Sequence, residues 1–321
     1  MGIQQIMSDD AQRAHAIMDG INEGSVRESV DLVNNTEIVT EISLPSAQQK
    51  YQEIAGNNDE IDIKTLMDNA GVSKEDFQAL CNEHPEMIAQ IGGGKTCTDL
   101  AKVADRVNII GNGGYCLPGV RKLYFQCQND SMTNASALRA QTQYTTEHRY
   151  QGTNGGCSGY ETLEGSGNYV SVALKNTAYG KAKGCEENTV MNNLFKTVQP
   201  GITVTMDSVE DNNMRRSMGH NGAKYGHIAV KRSDNRFACD IRQENIGFTR
   251  YGEYAHVCFP KDAYVSKEYA EMLIEKAQTR MANDREKSNT EINNGTSSQQ
   301  HTNVSALTGA MQRTLQNGIS R

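Results

Sequence analysis

The chain has no tryptophan, only 5 prolines and 6 phenylalanines, and no Cys-x-x-Cys pair among its 8 cysteines. Missing pairs exclude the zinc-ribbon and zinc-finger spacings, so no metal site is expected. No stretch approaches the run of about 18 apolar residues that a membrane span needs, so no membrane partner is expected. A net charge of -7 lacks the basic balance of a dedicated nucleic-acid binder. The opening segment MGIQQIMSDDAQRAH has neither the basic nor the apolar region of a secretory signal. Ile6 also stands where a myristoylation signal needs Ser or Thr. What is present is 321 residues with 37% hydrophobic content, enough for a core without disulfide staples, together with sizeable solvated segments.

Pattern divides the chain into four parts. Residues 1–60 read as a polar extension, with one amphipathic helix over 9–23 (Ala14, Ile17, Met18 and Ile21 on one face) and the remainder extended or loosely held. Residues 61–107 read as a helical segment packing on the core. Gly71 separates two short helices, Ser73 with Asp76 forms a variant capping box, and a third helix spans about 96–107. The acidic run KEDFQALCNEHPE makes a poor DNA-reading helix. Residues 108–265 carry a helix over 120–126 and an insertion over 130–199 that is rich in Asn, Gly, Ser and Thr, with short strand-like pieces such as NYVSVAL. Strand-like runs ITVTMDS, GHIAVKRS, RFACDIRQ and YAHVCFP then follow Pro200-Gly201. Residues 266–321 read as a helix to 284 and a mobile polar tail, with a weak helix over 304–316. The expected fold class is α+β, helices packed on a small antiparallel sheet.

The chemistry-bearing signal joins two distant segments. Gly113-Gly114-Tyr115-Cys116 stands directly before a helical run, and Tyr225-Gly226-His227 opens a strand. A cysteine at a helix N-terminus feels the positive end of the dipole and free backbone N–H groups, which favours thiolate. The same amides can hold an oxyanion. A histidine on a neighbouring strand can serve as general base and then general acid. If the chain turns at Ser233–Asn235, strands over 227–232 and 236–242 pair and bring Asp240 within reach as orienter, with Glu244 and Asn245 as alternatives.

GGYC before a helix, then PGITV, YGHIAV and FACDIRQ resembles the CHAP and NlpC/P60 group of papain-like cysteine hydrolases, over about residues 108–260. The resemblance implies a papain-like arrangement in which Cys116 is nucleophile, His227 base and Asp240 orienter. Tyr115, Tyr225 and His220 would touch substrate, and no metal or organic cofactor would be needed. The family cleaves peptidoglycan, at the N-acetylmuramoyl-L-alanine amide or within the stem peptide. Without a signal peptide, such an enzyme would be made in the cytoplasm and released as a phage lysin or injected by a type VI or related secretion machine. An antibacterial toxin of this kind would be paired with an immunity protein covering the cleft. A host-directed protease or deamidase, and a non-enzymatic interaction protein, are the alternatives from other classes.

Rival features have plainer readings. Ala89 to Thr96 fits a permissive phosphate-loop pattern, with Asp207 as its distant acidic partner. The polar, proline-bearing segment before it suits a glycine turn better than a buried strand. Cys97 near a helix start is the rival nucleophile. Cys127, Cys239 and Cys258 read as packing, His256 as a buried strand residue, and Cys157 with Cys185 as a pair available for a disulfide after export.

Overall fold

The structure, a computed structural model, describes residues 45–110, 115–129, 131–132, 156, 159–209 and 225–288. The expected helices over 9–23 and 304–316, together with His220 and Cys157, lie outside the described residues.

The chain is α+β, as the pattern implies. The described part begins with α1 (Ala47–Ala55), where the polar composition suggests extended chain. The helix is set by a reciprocal capping box between Ser46 and Gln49 and by burial of Tyr51 and Ala55. Strand β1 (Glu60–Asp62) leads into α2 (Ile63–Ala70), which ends at left-handed Gly71. Then α3 (Lys74–Glu83) starts on the anticipated Ser73/Asp76 capping box. A two-residue strand β2 (Ile91–Gly92) precedes α4 (Gly94–Ala104), and α5 is Cys116–Gln126.

The remaining elements are α6 (Gly159–Gly165), β3 (Tyr169–Lys175), α7 (Glu186–Lys196), β4 (Thr203–Met206), β5 (His227–Lys231), β6 (Phe237–Ala238), β7 (Arg242–Gln243), β8 (Tyr254–Pro260) and β9 (Tyr264–Ser266). A last helix, α8, covers 267–288. The main sheet has the order β3-β8-β4-β5-β6-β7, and its strand pairs are antiparallel. A small sheet, β1-β9-β2, ties the helical N-terminal part to the chain before α8.

Two segments differ from expectation in ways that shape the site. Part of the supposed insertion belongs to the core: β3 pairs along its whole length with β8, from Tyr169↔Pro260 to Lys175↔Tyr254. The strand-like run NYVSVAL is this strand, and it is an edge strand whose outer amides are met by side chains. Ala173 N–H donates to Gln78 Oε1 at 2.7 Å, and Gln78 Nε2 donates to the Ala173 carbonyl at 2.9 Å. Glu164 Oε1 receives Ser171 N–H at 3.2 Å. An edge covered in this way is closed to further strand pairing. The second difference lies at 236–242, which is two short strands rather than one. Asp240 sits in the turn between them, where Cys239 N–H bonds the Ile241 carbonyl.

Register fixes the faces of the sheet, because directly paired residues share a side. Thr205, Ile228 and His256 lie on one face, and Met206, His227 and Ala255 on the other. Tyr124 of α5 reaches Thr203 (Oη···Oγ1 2.6 Å), and α6 packs Gly159 against Ile228 and Thr205. Both helices therefore cover the Thr205 face. On the opposite side the hairpin after β5 fastens two helix ends. Lys231, 1% exposed, donates to the carbonyls of Lys196 and, at 2.9 Å, Val198 just past α7. Arg232 donates to Ala104 O at 2.5 Å and Val107 O at 2.8 Å beyond α4, and Asp234 holds its other nitrogens at 3.0 and 3.1 Å.

A KRSD turn thus supplies two cationic C-caps. Lys231→Met keeps most of the stem but strands two buried carbonyls, so it should cost about 2–4 kcal/mol. Urea unfolding of the variant beside wild type measures it. The burial that makes this cap effective also lowers the Lys231 pKa to about 8.

Candidate active site

Cys116 is the first residue of α5 and Tyr115 its N-cap; no side chain of Tyr115 caps the helix. Asp240 does that work from the β6–β7 turn: its Oδ2 accepts Tyr115 N–H at 2.9 Å, placing a carboxylate at the positive end of the helix. The other oxygen, Oδ1, receives the Cys239 thiol at 3.0 Å. Pro118 falls in the first turn, where a missing N–H costs no helix bond. Gly119 is required by contact. A Cβ there would lie 2.2 Å from Asp240 N and 2.6 Å from Cys239 C. Helix and turn are therefore in backbone contact, and that contact brings the carboxylate to the helix start.

The Cys116 thiol is half-buried. Backbone amides of Ile228, Leu117 and Cys116 itself favour its ionised form. Ile228 follows His227 directly, so the thiol lies against the peptide of the histidine strand. The chain before α6 reaches the same peptide: a Cβ on Gly156 would meet His227 C at 2.3 Å and Ile228 N at 2.5 Å. His227 opens β5 and is 5% exposed. Its Nε2 is hydrogen-bonded to Gln243 Oε1 at 2.7 Å, and its ring stacks on Tyr251 with centroids 5.5 Å apart and planes 14° from parallel.

The residue hydrogen-bonded to the ring is thus Gln243, on the strand after the turn. Asp240 acts on His227 through its charge. Among the described residues, thiol and imidazole share no hydrogen bond. Tyr115 is 75% exposed directly before Cys116, and Tyr225 is half-buried two residues before His227. Sequence reasoning missed Gln243; alternation from Phe237 marks it, since the two residues are directly paired.

The helix-start argument for a low thiol pKa is overturned. Burial pushes the Cys116 thiol above its ordinary value; the Ile228 amide opposes this, and the Asp240 charge adds to it. Burial also lowers the His227 pKa, against the Gln243 hydrogen bond and the Asp240 charge. Both shifts favour the neutral thiol and the neutral imidazole.

Two pH dependences follow. Iodoacetamide should alkylate Cys116 more slowly at pH 7 than it does a free cysteine, with the rate climbing through and beyond pH 9. Any turnover that needs neutral His227 should keep its rate down to pH 6.5 and fall only below it. The stability sign agrees. A histidine with a depressed folded pKa takes its proton more readily unfolded, so stability present above about pH 6.5 is lost as pH falls through the lower, folded value. Alkylation rates and a pH–rate profile read these two predictions.

The rival features resolve differently. Cys97 is buried in α4, its thiol pushed up to about 12, and its carbonyl is where a Cβ on left-handed Gly201 would land, 1.9 Å away. That contact is why Pro200 is followed by glycine. The phosphate-loop pattern is closed by the protein's own carboxylate: Asp262 Oδ2 accepts Thr96 N–H at 2.8 Å, and Lys95 pairs with Asp99. Asp207 instead holds His256 Nε2 at 3.2 Å, with Tyr160 stacked on the far ring face at 3.7 Å.

Among the described residues no cluster of three His, Cys, Asp or Glu side chains suits a metal ion, and no helix is long and apolar enough to cross a membrane. Set against protein-family models, curated proteins and solved structures, the chain matches none.

Proposed function

We propose that the chain is a cysteine-dependent amide hydrolase of papain-like, CHAP or NlpC/P60 type, acting on peptidoglycan. The observation that carries this reading is Cys116 at a helix start that Asp240 caps, with the Asp240 charge acting both on its thiol and on a histidine held by Gln243 and Tyr251. His227 takes the thiol proton as Cys116 sulfur attacks the carbonyl carbon. The Cys116 and Leu117 amides would share the developing negative charge. Collapse breaks the C–N bond while His227 returns the proton to the leaving amine, and water then hydrolyses the thioester. With Nε2 held by Gln243, Nδ1 is the nitrogen that carries the proton. Asp240 supports the helix start and biases the ring by charge.

Injection as an antibacterial toxin, with an immunity protein seated on the cleft, or release as a lysin, would bring such an enzyme to the wall. Digestion of purified peptidoglycan, with products identified by mass spectrometry, tests the reading. Fragment masses separate amidase from endopeptidase, and undigested peptidoglycan would refute a wall substrate.

One observation favours a protein substrate instead, as for a host-directed protease or deamidase. Tyr115, next to Cys116 in the chain, is 75% exposed, and Ile109 and Ile110 are 66% and 72% exposed where Arg242 N–H, two residues from Asp240, holds Ile109 O at 2.8 Å. Exposed apolar side chains of this kind suit a hydrophobic side chain better than a sugar-peptide rich in hydroxyl and carboxyl groups. In that case peptidoglycan stays intact while a protein substrate changes mass.

A further inference from the structure

We propose that Cys239 is a positioning residue of this site: its buried thiol donates to one oxygen of Asp240 and so turns the other oxygen onto the N–H that precedes the Cys116 helix. The inference rests on the hydrolase reading for its effect on turnover. It adds to that reading a residue that the sequence marks only as packing.

Direct contacts run from Cys239 to the helix start. Its thiol lies 3.0 Å from Asp240 Oδ1, nearer than the Ile241 carbonyl at 3.8 Å. Asp240 Oδ2 accepts the Tyr115 N–H at 2.9 Å. The main chain of the turn is held independently. Cys239 N–H bonds the Ile241 carbonyl at 3.0 Å, Ala238 pairs with Arg242 across the hairpin, and the turn backbone lies against Gly119 in the first turn of α5. The Asp240 carboxylate still has two side-chain torsions of its own. A single hydrogen bond to one oxygen leaves it free to pivot. A second bond to the opposite oxygen, from a fixed donor, selects one orientation.

Cys239 is suited to be that donor. It is 2% exposed, and burial followed by the bond to Asp240 holds its thiol pKa far above the ordinary value. The group therefore stays S–H and can only donate to the carboxylate. A buried thiol elsewhere would act as a small hydrophobe, but beside a carboxylate it gains a charged acceptor. The oriented carboxylate meets the positive end of α5. Cys116 directly follows Tyr115, so its sulfur takes its place from the same first turn, and an error of about 1 Å there is worth about 10²-fold in rate.

Cys239→Ala removes the donor and Cys239→Ser restores one. Amide hydrogen exchange, read by NMR on the isotope-labelled full chain, reports the helix start directly. In Cys239→Ala the Tyr115 N–H should exchange about 10-fold faster than in wild type, while Val120 and Leu123 keep their rates. Cys239→Ser should return Tyr115 to within about threefold of wild type. With a soluble disaccharide-tetrapeptide muropeptide as substrate, kcat should fall about 10-fold in Cys239→Ala at unchanged KM and recover in Cys239→Ser. Equal Tyr115 exchange in all three proteins would overturn the inference. Faster exchange along the whole helix in both variants would overturn it too, since that is lost packing. A response at Tyr115 with no fall in kcat would overturn the role in turnover and leave the hydrolase reading standing. Wild type inactive on the muropeptide would remove the hydrolase reading, while exchange at Tyr115 would still decide whether Cys239 sets the helix start.

Discussion

Cys116→Ala is expected to abolish hydrolysis, lowering kcat by about 10⁴-fold or more while leaving the fold in place. The size follows from chemistry. No other atom at the helix start can form the covalent intermediate, and a methyl group gives His227 no proton to accept. The small cost to stability follows from position. The side chain is half-buried and opens the helix rather than filling its core-facing row, which Leu117, Val120, Leu123 and Tyr124 supply. Loss of activity with an unchanged unfolding midpoint is the expected pair of results. An active Cys116→Ala variant would move the nucleophile elsewhere.

Gly119→Ala is expected to damage stability and activity together. Alanine is the better helix former by about 1 kcal/mol, but its methyl would meet Asp240 N at 2.2 Å and Cys239 C at 2.6 Å. These are backbone atoms that cannot rotate away. The helix must lift from the β6–β7 turn, stretching the 2.9 Å bond from Tyr115 N–H to Asp240. Overpacking should outweigh propensity and leave a net loss of about 2 kcal/mol, or about 4–8 °C in Tm. Displacing the nucleophile by an ångström should lower kcat about 10²-fold. Gly165→Ala in α6 is the control, since no atom lies within 4 Å of its added methyl. It should be neutral in both assays.

Much of the frame was legible because local signals agreed with tertiary placement. The Ser73/Asp76 capping box and left-handed Gly71 set α2 and α3 where the spacing puts them. The alternating runs after Pro200 became β4, β5 and β8. The hairpin turns through Asn235, which adopts a left-handed φ of 62°. What was not legible depends on distant partners. NYVSVAL is legible as a strand, but its place beside β8 at the sheet edge, finished by Gln78 and Glu164, is not. The strand expected through Asp240 breaks there because Cys239 N–H turns back to the Ile241 carbonyl.

Of the candidate residues, Asp240 meets the start of α5 at Tyr115 N–H, and its charge acts on both Cys116 and His227. The ring's hydrogen bond nevertheless goes to Gln243, because residue 243, not 240, is the one paired across from Phe237 beyond the turn. The thiol's raised pKa could not be read from a helix N-terminus alone. The dipole and amides do act on it, but burial beneath neighbouring strands, invisible in one segment, is the larger effect.

The most direct test of the account is to look for the acyl-enzyme. Wild type mixed with a muropeptide, quenched in acid within a turnover and cleaved with pepsin, can be read by mass spectrometry peptide by peptide. The account predicts a thioester-linked acyl group on the peptide containing Cys116, absent from Cys116→Ala. Turnover with no adduct at Cys116, an adduct on another cysteine such as Cys157, or no turnover at all would contradict it.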